Sequence, residues 1–144
     1  MQKRCKRRHF APSEHPMLQP PGPLACHDLI DLRLREHLAL DDLAHWSGQP
    51  ADLRVLQITA AVALVLAADG YGADELAELE EADAVLRSYR VNPPGITGVT
   101  QADLAPLRWL LAYADAQRAV VSRRDYHSAL ARVRQEPSRY GWQA

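Results

Sequence analysis

His37, Asp41 and His45 are spaced at i, i+4 and i+8, with Asp42 beside them. That spacing places them on one face of a helix. An imidazole next to a carboxylate can exchange a proton or supply half of a metal site. The other half is missing: there is no HExxH and no second ligand set at helical spacing. The three residues therefore read as a polar cluster on a solvated face. Cys5, His9, Cys26 and His27 offer two thiols and two imidazoles, a donor set that suits tetrahedral zinc. The Cys5–His9 spacing departs from the finger pattern, and adjacent Cys26 and His27 would strain joint ligation. Gly95-Ile96-Thr97-Gly98 is too short to cradle a phosphate and lacks the Lys-Ser/Thr that should follow. No serine sits in a nucleophile elbow. The expectation is no catalytic residue, no cofactor and no metal, and hence not an enzyme.

Charge is the stronger signal. Lys3, Arg4, Lys6, Arg7 and Arg8 lie within six residues with no acid among them. The whole chain has a formal net charge of -1, so the rest carries -6. A basic run of this kind attracts phosphates, and the attraction weakens with salt. Arg118, Arg123, Arg124, Arg132 and Arg134 form a second basic group near the other end. They read as an extension of the basic surface or as a solvated helix face neutralised by nearby acids. The binding candidates are Lys3, Arg4, Lys6, Arg7, Arg8, Arg123 and Arg124, for nucleic acid or an acidic partner. An anionic body repels a polyanion, and no aromatic interleaves the basic run to stack on bases. The arm is therefore expected to serve a protein contact first.

These groups must be held by helices. The chain of 144 residues is rich in Ala and Leu and poor in aromatics. That composition favours an all-α fold, large enough to bury a core without staples. Residues 1–24 read as a basic, Pro-rich N-terminal arm, because Pro12, Pro16, Pro20, Pro21 and Pro23 block regular structure. Residues 25–144 read as an α-helical bundle domain of about five helices. The first runs Cys26–Trp46, where Ala39, Leu43 and Trp46 share an apolar stripe with Leu29 and Leu32, interrupted at Glu36. Leu34 and Leu38 widen that stripe toward a second face. Ser47-Gly48 should end it, with Gly48 as the left-handed cap. The second, Ala51–Asp69 after Pro50, is apolar nearly all round and belongs at the centre.

The third helix is expected over 73–90, with Glu78, Glu80 and Glu81 exposed and Asp83 nearer the core. The fourth covers 101–120 and the fifth runs to about Gln135 with Tyr126, Leu130 and Val133 inward. Thr100 with Asp103, and Ser122 with Asp125, resemble capping boxes. The run Ile58–Ala68 reads as a buried helix, too short to span a bilayer. No apolar segment follows the N-terminal charges as in a secretory signal, and the two cysteines read as reduced thiols. The expected location is the cytoplasm, with no membrane contact.

Five short stretches carry a resemblance. They are Arg4-Cys5-Lys6-Arg7-Arg8-His9 followed by Phe10-Ala11; Leu32-Arg33-Leu34-Arg35-Glu36; Gly70-Tyr71-Gly72; Thr97-Gly98; and Asp115-Ala116-Gln117-Arg118. Together they resemble small proteins carried by phages and prophages of proteobacteria. The resemblance implies a mobile-element origin and a bacterial host cytoplasm; it carries over no catalytic residue. It also implies an accessory protein that binds a host or phage protein, as regulators and inhibitors of host defence such as anti-CRISPR proteins do. The alternative is a nucleic-acid-binding accessory factor using the arm and the C-terminal arginines. A homodimer is compatible with either.

Overall fold

The computed structural model describes residues 22–24, 26–89 and 98–137. The described residues form five α-helices: α1 (Cys26–Ala44), α2 (Pro50–Ala68), α3 (Leu76–Ser88), α4 (Gln101–Val120) and α5 (Arg123–Gln135). A 3-10 turn at Ala73–Glu75 leads into α3, so that helix begins three residues later than its acidic start suggests. Among the described residues there is no β-strand. An isolated antiparallel bridge pairs Pro23 with Ser122.

α2 is the central helix, and its sequence dictates the position. One side presents Leu53, Leu56, Ala60, Ala63 and Ala67 to a core shared with Leu43, Leu79, Leu86, Leu107 and Leu110. The other presents Ala61, Val62, Val65 and Leu66 to Leu24, Val121, Tyr126, Ala129 and Val133. A helix with two apolar faces needs partners on both. α1, α3 and α4 supply one set, and α5 the other. By length and composition alone α2 could cross a membrane, but in this fold it is a core helix wrapped by its neighbours. Pro50 occupies its first turn, and the Asp52 carboxylate accepts the Gln49 backbone N–H at 2.7 Å.

The helix ends correct two expectations. α1 stops at Ala44, and the left-handed residue is Trp46 (φ 58°), not Gly48. Trp46 N–H donates to Leu43 C=O at 3.3 Å, and Ser47 N–H donates to Asp42 C=O at 2.9 Å, the paired bonds of a Schellman cap. The turn closes two residues earlier than glycine preference implies. At the start of α4 the reciprocal capping box does not form. Thr100 Oγ1 donates to Asp103 Oδ2 at 2.8 Å, while the Thr100 N–H donates to the Tyr89 hydroxyl at 3.0 Å. Ser122 does cap α5, accepting the Asp125 N–H at 3.1 Å.

The turn after α2 is fastened by the last two helices. Gln117 Nε2 donates to the carbonyls of Ala63 (3.0 Å) and Tyr71 (2.9 Å). Tyr113 Oη donates to Gly72 C=O at 2.6 Å, and Tyr71 Oη donates to Asp125 at 2.6 Å. Gly72 sits at φ 78°, and a Cβ there would lie 2.7 Å from the Tyr113 oxygen. Only glycine combines that backbone conformation with that approach.

Candidate interaction face

The outward orientation of α1 is set by a buried ion pair. Glu36, which interrupts the apolar stripe, is buried with Arg118 of α4. Arg118 Nη1 donates to Glu36 Oε2 at 2.7 Å, and Nη2 donates to Oε1. Thr59 of α2 donates its hydroxyl to the same carboxylate at 2.6 Å. The guanidinium carbon lies 5.8 Å from the centre of the Tyr126 ring of α5. Four helices thus meet at one charge pair. Burial disfavours the guanidinium charge, but the Glu36 carboxylate outweighs it and the Arg118 pKa is raised. Arg118 is therefore not one of the solvated C-terminal arginines, and Glu36 is a core residue rather than a gap in the stripe.

Fixing Glu36 inward turns the opposite side of α1 to solvent, because at 100° per residue Leu34 lies nearly across the helix from Glu36. Ile30, Leu34 and Leu38 follow at steps of four and are 58%, 57% and 55% exposed. Trp46 does not continue the inward stripe as the periodicity predicts: it lies just past the helix end, turned out by its left-handed backbone, and is 58% exposed. Its indole rests on Gly98, where a Cβ would come within 2.2 Å of the ring. Leu43 C=O accepts the Val99 N–H at 3.1 Å, holding the segment under the indole. A bulky residue in the left-handed region is strained, and here the packing on Gly98 maintains it. The result is an apolar line on α1 with a fixed aromatic at its end.

Polar groups border that line. Arg33 Nε lies 3.1 Å from Asp115 of α4, and His37 Nε2 lies 3.9 Å from the same carboxylate. His45 Nδ1 lies 2.8 Å from the Asp41 C=O and 3.4 Å from its carboxylate. The expected polar cluster is thus divided: His45 pairs with Asp41, whereas His37 turns to α4. All three side chains are exposed. Asp31, Arg35 and Asp42 are exposed on the other border. Among the described residues no group of three or more His, Cys, Asp or Glu side chains is arranged to hold a metal ion.

The basic candidates separate as well. Lys3, Arg4, Lys6, Arg7 and Arg8 lie outside the described residues, as do Cys5, His9 and the side chains of Cys26 and His27. Arg132 lies 3.1 Å from Asp69. Arg123 is half-buried, and Arg124 and Arg134 are exposed. Glu78, Glu80 and Glu81 of α3 face solvent, and Asp83 is partly covered and receives the Arg87 Nε at 2.6 Å.

Comparison of the chain with protein-family models, with curated proteins and with solved structures gives no match.

Proposed function

We propose that this chain is a small accessory protein of phage or prophage origin that acts in the bacterial cytoplasm by binding a host or phage protein, as regulators and defence inhibitors do. One observation carries the binding part of this reading. Three large aliphatic side chains at helical spacing, and a tryptophan beyond them, stand in solvent on one face of α1. Single exposed leucines are ordinary, but a line of them ending in an aromatic has the make-up of an interface core. The border carries Asp31, Asp41 and Asp42 against Arg35, with Arg33 paired to Asp115 of α4. The matching occupant is a partner protein surface with an apolar centre and a basic rim. The origin and the cytoplasmic setting rest on the resemblance of the short sequence stretches described above.

A photocrosslinker placed at Leu34 tests the face directly, with the same group at Glu80 on α3 as the comparison. Adducts to one defined bacterial protein from position 34, absent from position 80 and unchanged by nuclease, are the expected result. Equal adducts from both positions, or adducts to nucleic acid alone, would overturn it. Adducts confined to a second copy of the chain would replace the foreign partner with self-association.

A further inference from the structure

Among the described residues, Trp46 is the one non-glycine residue with a positive φ, 58°. Left-handed backbone is unfavourable for any residue that carries a Cβ. Gly48, two positions on, would adopt it freely and does not. More than half of the Trp46 surface also stands in solvent, which is unfavourable for a large apolar ring. Strain and apolar exposure thus coincide at one residue, and strain of this kind gathers at binding sites.

The turn holds the indole in one posture. Ser47 donates to Asp42 C=O through both its N–H (2.9 Å) and its Oγ (3.2 Å), and His45 Nδ1 lies 2.8 Å from Asp41 C=O. Val99 N–H donates to Leu43 C=O at 3.1 Å and so brings Gly98 against the ring. A Cβ on Gly98 would lie nearest to Cδ2, Cε3 and Cγ of Trp46, at 2.2, 2.5 and 2.6 Å. Gly98 therefore meets that edge of the ring, and Nε1 belongs to the opposite edge. The Nε1–H has no hydrogen-bond partner among the described residues, whereas the polar side chains on either side of it, His45 and Ser47, are bonded within the turn. Packing fixes one edge of the indole and leaves the donor edge open.

We infer that Trp46 is the anchor of the α1 interface: a pre-set indole that enters an apolar pocket on the partner protein, where a backbone carbonyl accepts its Nε1–H. The assignment rests on the protein-binding role proposed for α1. An indole N–H taken out of water needs an acceptor. Asp41 and Asp42 are exposed on the last turn before Trp46, so a carboxylate acceptor would meet like charge and an uncharged carbonyl fits better. Because Gly98 already holds the ring, little ordering entropy is lost when the pocket closes on it. Ile30, Leu34 and Leu38 supply the adjoining apolar contact along the helix.

The test pairs thermal melting of the full chain with its affinity for the protein captured by the crosslinker at position 34. Trp46→Gly should melt within about 3 °C of the parent, because relief of the left-handed backbone offsets the packing lost on Gly98. Its affinity for the captured protein should fall by at least about 30-fold, as expected of an anchor. Trp46→Phe, which keeps an apolar ring and lacks the N–H, should weaken binding about tenfold. Gly98→Ala, which displaces the ring, should weaken binding in the parent and not in Trp46→Gly. A Trp46→Gly chain that melts further below the parent would make Trp46 a residue of the fold and overturn the assignment. So would parental affinity in Trp46→Gly while Leu34→Asp with Leu38→Asp loses the partner, a result that leaves the proposed function standing. Undiminished affinity in Trp46→Phe would overturn the carbonyl contact. Parental affinity in both the tryptophan and the leucine variants, or no protein captured from position 34, would remove the proposed function and the anchor together.

Discussion

Arg118 of α4 grips Glu36 of α1 across 82 positions of sequence, with both terminal nitrogens on one carboxylate and the Thr59 hydroxyl on its edge. Removing one partner would leave the other charge buried and unpaired. Glu36→Gln or Arg118→Met alone should each cost about 3–5 kcal/mol in urea unfolding. Glu36→Leu combined with Arg118→Met should recover most of that loss, because the hydrophobic pair removes both desolvation penalties. Equal destabilisation by the double variant and the single ones would show that the pair supplies net stability of its own.

Trp46 and Gly98 should be coupled. Gly98→Ala pushes a Cβ into the indole and should destabilise by about 1–3 kcal/mol. In a Trp46→Gly background the same change should cost clearly less, since the ring is gone and the left-handed backbone suits glycine. A double-mutant cycle that is additive within about 0.5 kcal/mol would contradict the contact.

The central place of α2 predicts the effect of Val62→Asp. Val62 is buried between α2 and α5, so the carboxylate has no compensating partner there. A loss of about 3–5 kcal/mol is expected by chemical denaturation. Glu80→Lys with Glu81→Lys on exposed α3 should change stability by less than about 1 kcal/mol.

The His127 pKa is lowered, by burial first and then by Arg123 and Arg134, with Asp28 opposing. The unfolded chain therefore takes up the proton more readily than the folded one. The stability that follows is fully present above the unfolded imidazole value of about 6.5 and is lost as pH falls through it toward the folded value. Melting temperatures at pH 7.5 and pH 5 should differ less in His127→Gln than in the parent. An identical pH dependence in both would show that His127 does not set the loss of stability at low pH.

Much of this architecture was legible in the sequence. The two apolar faces of Ala51–Asp69 required a central helix, and Gly70-Tyr71-Gly72 and Ser122 marked real helix ends. The Glu36–Arg118 pair was not legible, because periodicity describes one helix at a time and says nothing about a partner 82 residues away. Glu36 alone in an apolar stripe was the available signal: a charge at an inward position implies a buried opposite charge. Reading it as a gap left the leucines at 34 and 38 as extra width of the core stripe, when their real position is the solvent face. Trp46 was hidden for a different reason. Glycine at 48 is the better left-handed residue by intrinsic cost, and the packing of the indole on Gly98 overrides that preference.

The surface proposed to bind a protein is the exposed line on α1. Leu34→Asp with Leu38→Asp tests it most directly, by thermal melting and by capture of the crosslinked partner from nuclease-treated lysate. Both side chains stand in solvent and contribute little to the fold. A melting temperature within about 2 °C of the parent, corresponding to well under about 1 kcal/mol, is expected together with loss of the partner. A partner retained at parental yield by the folded double variant would contradict it.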